Sequence, residues 1–300
     1  MKILVTGAAG FIASNTIELL LENGHEVIGI DNFSTGDRDN VPEGIEFIEG
    51  DCGDTNLILS FKNIDACMHF AGSIITSESI ISPDYYFNNN VASSLRLLNA
   101  LAIMNVKYFI FSSSAAAEFR NSPYGESKYM IEQALYWMTK QYRIRGASLR
   151  YFNAAGGTKK HPENHYPETH LIPKCFDSIK NGKKMKIFGN DYNTPDGTCI
   201  RDYIHVSDLA KGHLAALYSL NDHIYFKLNL GTGVGYSNFE VVKTIEEVTG
   251  KKIDLEIVER REGDPDSLVA FIDSTNQFID WNPQQSSLTE IIKDTWECRV

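Results

Sequence analysis

The feature that most constrains this chain is its opening stretch, residues 2–13. A short β-branched and aliphatic run, Lys2–Thr6, meets a turn at Gly7–Gly10. The turn opens into Phe11–Asn23, an amphipathic helix pattern with Ile12, Ile17, Leu20 and Leu21 on one side and Gly24 as its stop. A second apolar run, Glu26–Ile30, ends at Asp31. Strand, turn, helix and strand in this order make a βαβ unit. Its two strands are parallel, its crossover has one hand, and helices must cover its faces.

The pattern continues. Strands are predicted at Ile45–Glu49, Ala66–Phe70, Lys107–Ser112 and Ala147–Phe152, with helices near 88–104 and 124–142. This places the chain in the α/β class, as a Rossmann-type doubly wound parallel sheet with a smaller α/β substrate-binding domain. The second half changes texture. Segments 158–169 and 191–197 read as loops with Pro162, Pro167 and Pro195. Shorter elements follow: helices at Val206–Leu220 and Asn238–Thr249, strands at Lys227–Leu230 and Ile253–Val258. The expected division is 1–153 for a dinucleotide domain and 154–300 for a mainly substrate-binding domain, with parts of 197–225 packing back on the first.

Gly7, Gly10 and Ala13 give the spacing G-x-x-G-x-x-A, not the G-x-G-x-x-G of the standard dinucleotide fingerprint. Glycines at this junction let the backbone approach a pyrophosphate at the helix N-terminus. Asp31 stands where a carboxylate accepts hydrogen bonds from adenosine ribose hydroxyls, and a 2′-phosphate there would meet like charge, so NAD is favoured over NADP. The bland alternative is a capping aspartate in a turn. Tyr124 and Lys128 form Y-x-x-x-K and share one face of a helix. An ammonium near a phenol favours the phenolate, which suits a general base or acid. Here the alternative is a helix-start tyrosine with a solvated lysine. Ser114, at the end of the preceding strand, is placed to bond the same substrate oxygen.

Charge and cysteine content narrow the function classes. With 28 Lys+Arg against 39 Asp+Glu the net charge is −11, so nucleic acid and anionic membrane are not expected partners and an anionic substrate needs placed arginines. No apolar stretch approaches the roughly 20 residues of a membrane span. The opening apolar run is too short for a signal peptide, so a cytoplasmic location is expected. The five cysteines have no pair three apart, so neither a disulfide framework nor a metal site is read. His69 and His205 read as packed histidines, and 180–186 as a solvated lysine face.

These residues resemble the extended short-chain dehydrogenase/reductases and, within them, the UDP-glucose 4-epimerase (UDP-galactose 4-epimerase) family. The resemblance runs through T-G-A-A-G-F-I at 6–12, D-N-F-S-T-G at 31–36, G-D at 50–51, H-F-A-G at 69–72 and Y-F-N-N-N-V at 86–91. It continues with F-S-S-S at 111–114, S-P-Y-G at 122–125 and R-Y-F-N-A-A at 150–155. The more specific motifs lie in the second half: E-T-H-L-I-P at 168–173, I-F-G-N-D at 187–191, D-G-T at 196–198, R-D-Y-I-H-V at 201–206 and R-R-E-G-D at 260–264.

The resemblance implies an NAD-dependent isomerase that interconverts UDP-glucose and UDP-galactose at C4 through a transient 4-keto sugar. It assigns Phe11 and Ile12, beside Gly7 and Gly10, to the NAD pyrophosphate. Asp31, Asn32, Phe33, Ser34, Thr35 and Gly36 surround the adenosine ribose, and Asp51 and Cys52 flank the adenine. Phe70, Ala71 and Gly72 lie beneath the cofactor, Asn89 bonds near the pyrophosphate or ribose, and Phe152 lies near the nicotinamide. Tyr124 is the acid/base, Lys128 holds the nicotinamide ribose and tunes Tyr124, and Ser114 bonds the 4-oxygen. Asn153, Leu171, Arg201, Arg261 and Asp264 hold the UDP part. A homodimer through the helices near 88–104 and 124–142 is also implied, with Leu95, Leu98 and Leu101 as core or dimer stripe.

The chain departs from the family pattern in three places. Only ten residues separate Ser114 from Tyr124, where relatives have a V-Y-G turn and a longer loop. Ile74 replaces a frequent lysine near the cofactor phosphates. Leu268 replaces the usual gate residue beside the hexose, which leaves a UDP-N-acetylhexosamine 4-epimerase or another NAD-dependent nucleotide-sugar enzyme open. A non-catalytic NAD-binding regulator is a further alternative. A 4,6-dehydratase is disfavoured, because Ser113, Ser114 and Ala115 supply no acid.

Overall fold

The opening βαβ unit builds the middle of a seven-stranded sheet. The computed structural model describes residues 1–164, 168–261, 263–272 and 275–299. Pro167 of the predicted loop 158–169 and Glu262 of the 260–264 motif lie outside them. Six strands follow in chain order: β1 (Lys2–Thr6), β2 (Glu26–Asp31), β3 (Glu46–Glu49), β4 (Ala66–His69), β5 (Tyr108–Ser114) and β6 (Arg145–Tyr151). In space they run β3-β2-β1-β4-β5-β6, with Tyr225–Leu230 as the seventh strand beside β6. The pairs from β3 to β6 are parallel. The chain therefore winds one way from β1 to β3 and the other way from β4 onward. The break in winding lies between β1 and β4, where such sheets bind ligands at the carboxyl ends of their strands.

Strands buried on both faces must be apolar throughout rather than alternating. Ile3, Leu4, Val5, Phe109, Ile110 and Phe111 accordingly have no exposed surface. The helices Ser93–Ile103 and Pro123–Gln141 bring Leu97, Leu98, Leu101, Ile131 and Leu135 to the same core. The predicted leucine stripe thus divides: Leu98 and Leu101 are core, while Leu95 is 43% exposed.

Two elements differ from the sequence reading for local reasons. β5 runs two residues further than predicted, because Ser113 and Ser114 stay in register with Arg150 and Tyr151. The single helix expected over 88–104 is instead a short helix Pro83–Tyr86, a π-helical turn Phe87–Ala92 and the helix Ser93–Ile103. A π turn carries an extra residue and shifts the phase of the side chains around it.

The chain divides into two compact units. The first comprises 1–151, 210–229 and 273–281, and the second 152–209, 230–272 and 282–300. In the second unit the strand Ile200–His205 is central. It pairs with Asn153–Ala155 and Ser267–Leu268 in parallel and with Gly235–Ser237 antiparallel. A separate parallel pair joins Met185–Phe188 to Leu255–Val258. The helices Leu171–Asn181, Asn238–Thr249 and Leu288–Glu297 contribute Ile172, Phe176, Val241, Ile245, Ile291 and Ile292 to this unit's own core. The first and last of these helices were not read from the sequence. The last carried a start signal all the same: Ser287 accepts a hydrogen bond from the Glu290 backbone N–H, an S-x-x-E cap.

Candidate active site

The glycine turn at the end of β1 is a backbone cradle. Gly7 has φ +71°, and a Cβ there would lie 2.7 Å from the backbone nitrogen of Ala71, at the end of β4. Only glycine fits both the conformation and the space. Gly10 caps the helix Phe11–Glu22 without a side-chain hydrogen bond, so the positive pole of this helix carries no side-chain cap. These features suit a pyrophosphate bound through backbone N–H groups.

Asp31 ends β2 and is buried. Its two oxygens accept hydrogen bonds from the backbone N–H of Ala9 at 3.0 Å and of Phe33 at 2.8 Å. Burial pushes its carboxyl up, and those bonds pull it back. The loop after it is drawn close: a Cβ on Gly36 would lie 3.0 Å from Asp31 Oδ2, and Asn32 accepts from Ser34 N–H at 3.0 Å. Phe33 adopts φ 55° under the guanidinium of Arg38, which pairs with Glu49 at 2.9 Å. Asp51 accepts from the N–H of Gly53 at 2.6 Å. Burial raises the neighbouring Cys52 thiol to about 12, so it is a neutral packing group.

The reacting groups converge at the end of β5. Pro123 and the Ser122 cap, whose hydroxyl accepts the Gly125 N–H at 3.2 Å, start the helix that carries Tyr124 and Lys128. Burial pushes the Tyr124 phenol up, and a hydrogen bond with Ser114 pulls it down. Lys128 is 3% exposed. Its ammonium donates to the Ser112 carbonyl at 2.9 Å and lies 5.0 Å from the Phe111 ring centroid. Burial lowers it to about 8, against the charge of Glu132. The sequence reading had Lys128 depress the tyrosine. In this structure the ammonium is directed to Ser112 instead, and the groups acting on Tyr124 are its burial and Ser114.

The asparagine run separates into different roles. Asn89, half-buried, donates to Ser73 Oγ at 3.0 Å. Asn90 is buried: it accepts from Ser73 N–H at 2.8 Å and donates to Ser73 O at 3.0 Å and Ser127 Oγ at 3.1 Å. A Cβ on Gly72 would lie 3.2 Å from Asn90 Oδ1 and 3.6 Å from Lys128 Nζ. Asn90 therefore ties the loop after β4, with Phe70, Ala71 and Gly72, to the Tyr124 helix. No sequence signal distinguishes it from Asn88 and Asn89, because the π turn sets which one faces inward. Ile74 is largely exposed. His69 is packed, between Thr6 Oγ at 2.6 Å and Ser94 Oγ at 2.7 Å, and burial holds it down to about 3.

The second unit brings Arg201 and Asp264 together at 3.4 Å. Arg201 also donates to the carbonyls of Ile200 at 2.8 Å and Pro265 at 3.0 Å, which holds its guanidinium in one orientation. Arg261 is exposed and stacks 4.1 Å over the Phe188 ring. Asn153 opens a short strand and stands in register with Tyr203. Leu171 is the first residue of its helix, and Phe152 packs by Gly231. Tyr192 was not singled out by the sequence, since it lay in a segment read as loop. Its buried hydroxyl has no hydrogen-bond partner among the described residues, and burial, then the charge of Asp264, pushes it up.

Among the described residues one cluster has metal-like composition: Glu163, Glu168 and His170. Burial opposes the imidazolium, but hydrogen bonds to both carboxylates raise His170 to about 10. The three side chains form an ion-pair group, with His170 Nδ1 3.1 Å from a carboxylate oxygen of each glutamate.

A model of the NAD-dependent epimerase/dehydratase family matches residues 3–231. The chain belongs to that family. Over 313 residues it is 40% identical to a UDP-glucose 4-epimerase of Corynebacterium glutamicum, covering 99% of this chain and 95% of that one. A crystal structure of a UDP-glucose 4-epimerase superposes with TM-score 0.95 at 38% identity, covering 100% of this chain and 97% of that one. The Bifidobacterium longum UDP-glucose 4-epimerase, in complex with NAD+ and UDP, superposes with TM-score 0.94 at 33% identity, covering 100% and 98%. The resemblance drawn from the motifs and the Rossmann-type fold are both borne out along the whole chain. No helix among the described residues is long and apolar enough to cross a membrane.

Proposed function

We propose that this chain is a UDP-glucose 4-epimerase. It inverts C4 of a UDP-hexose between the gluco and galacto forms, by way of a 4-keto sugar. The observation that carries the reading is the set at the end of β5: Tyr124, whose phenol the neighbouring Ser114 pulls down, with the buried Lys128 one turn further along the same helix. NAD fits the first unit on two counts, the Gly7 cradle that a Cβ would fill and the buried Asp31 carboxylate. Gly7 to Ile12 would hold its pyrophosphate and Asp31 to Gly36 its adenosine ribose. Asp51 and Cys52 would flank the adenine, Phe70 to Gly72 would lie beneath the cofactor, Asn89 would bond near its pyrophosphate or ribose, Lys128 would hold the nicotinamide ribose, and Phe152 would sit near the nicotinamide. Bound there, NAD would supply a reversible hydride acceptor for C4.

The chain's own residues supply the proton chemistry. Tyr124 Oη takes the proton of the 4-hydroxyl and later returns it, and Ser114 Oγ bonds the same oxygen. The hexose must turn over between these events, so firm binding belongs to the UDP part. Arg201, Arg261, Asp264, Asn153 and Leu171 are its ligands in this reading. The Tyr192 hydroxyl, unpartnered among the described residues, is a further donor. Guanidinium forks match phosphate oxygens, and on a chain of net charge −11 such local cations are required.

A homodimer fits the same reading. Leu95, Ile103, Met130 and Trp137 leave apolar side chains exposed on the two helices assigned to it. The free, mostly buried cysteines suit a reducing cytoplasm. Purified protein incubated with UDP-galactose, with and without added NAD, should yield UDP-glucose on chromatographic separation. Absence of product in the presence of NAD refutes the activity, and conversion of UDP-N-acetylgalactosamine at equal efficiency would broaden the substrate class.

A further inference from the structure

Glu132 lies four residues beyond Lys128 on the helix Pro123–Gln141 and has no exposed surface. Side chains at this spacing share one helix face. A carboxylate removed from water demands donors, and here it has them. Oε1 accepts from Ser113 Oγ at 2.6 Å and Arg150 Nε at 2.7 Å; Oε2 accepts from Arg150 Nη2 at 2.7 Å, with Lys227 Nζ at 3.9 Å. The remaining Arg150 nitrogen reaches Glu118 on the short helix Ala116–Phe119. The Tyr225 hydroxyl lies by the Glu132 backbone carbonyl at 3.5 Å. Two cations, Arg150 and Lys227, thus face a single fully buried carboxylate, and Lys128, one turn back on the same helix, is bonded to the carbonyl of Ser112, the neighbour of the serine that Glu132 holds. Ser113, which it holds, is the residue before Ser114.

We propose that Glu132 is a positioning residue of the reaction: its carboxylate is the counter-ion of the Lys128 ammonium and, through Ser113, fixes the strand end that presents Ser114. The inference rests on the function proposed above, because it assumes that Lys128 works as a cation beside Tyr124. Burial alone drives Lys128 toward the neutral amine, and the negative charge of Glu132 opposes that. Glu132 is itself pushed up to about 7 by burial, with Ser113, Lys227 and Lys128 pulling it down. Among the described residues the other titratable group coupled to Lys128 is His69, which is neutral. A purely structural ion pair would affect stability only. A counter-ion also sets the pH at which Lys128 loses its proton.

The sign follows directly. Without the carboxylate charge, Lys128 gives up its proton at lower pH, and activity that needs the ammonium fails earlier on the alkaline side. Isotope-labelled lysine NMR on the purified full-length chain, with Lys128 assigned through K128M, reads its midpoint whether or not the enzyme turns over. The alkaline limb of kcat for UDP-galactose reads the consequence. In E132Q both should fall by about one pH unit, the lower end of the effect of removing a close opposite charge. KM should change by less than about threefold, since no substrate ligand is altered. A folded E132Q with an unmoved Lys128 midpoint overturns the proposal. If E132Q does not fold because Arg150 is left without its partner, E132Q/R150M removes both charges at similar volume. Loss of the guanidinium relieves Lys128 of a like charge, so its midpoint should fall less than in E132Q yet lie below that of R150M alone; a midpoint equal to that of R150M overturns the proposal equally. A wild type whose Lys128 titrates as described but which converts no UDP-galactose would refute the proposed function and leave the midpoint comparison intact.

Discussion

The two units place the charges assigned to their sites differently. In the first, Lys128, Glu132, Arg150 and Asp31 are buried, each satisfied by named donors or acceptors, and the protonation of Lys128 and Glu132 is displaced by desolvation. In the second, Arg201 is oriented by two backbone carbonyls and Arg261 lies exposed on the face of Phe188. The contrast follows the work each region is given. Proton transfer near neutral pH needs groups whose affinity for protons has been moved, and burial moves it. Gripping a diphosphate needs forks of donors held in place, which need no displaced titration.

The largest expected effect tests the first half of this contrast. Tyr124→Phe should lower kcat for UDP-galactose by about 10²–10⁴-fold, while KM and the melting temperature stay close to wild type. A variant keeping more than half of the wild-type rate would remove Tyr124 from the chemistry.

The second half is tested by the arginines, whose loss should act on KM rather than on the pH profile. Arg201→Ala should raise KM for UDP-galactose by roughly 10–150-fold, the range for a charge-assisted contact. Arg261→Ala should fall at or below the bottom of that range, because its exposed guanidinium is screened by water. Equal effects, or a shifted alkaline limb in either variant, would erase the distinction between the units.

Cofactor choice gives a smaller but sharper readout. NAD should bind at least about tenfold more tightly than NADP, since a 2′-phosphate set against Asp31 juxtaposes like charges. Equal affinities by fluorescence titration would remove Asp31 from ribose recognition. The mildest effect concerns pH: Lys128 is lowered to about 8, so wild-type activity should decline as pH rises through that value. A rate that stays flat up to pH 10 would show that the ammonium is not needed.

Much of this was legible in the residue order. The βαβ opening, the glycine turn, Asp31 at a strand end and the four-residue spacing of Tyr124 and Lys128 are local patterns. Strand and helix periods encode them directly. The second unit was harder to read. Its strands are short, and the helix Leu171–Asn181 begins after a proline-bearing polar stretch that masks its apolar face.

Tertiary structure decided what no local pattern holds. The π turn chose Asn90 over Asn89. The Ser112 carbonyl, not the phenol, received the Lys128 ammonium. Arg150 found Glu132 across 18 positions of chain, and Arg201 found Asp264 across a stretch that holds three strands and two helices. The chain also returns to the first unit at 210–229 and 273–281. Sequence period reports which face of an element is apolar. Which buried charge meets which is set by the requirement that every desolvated polar group find a partner, and only the packed molecule resolves that.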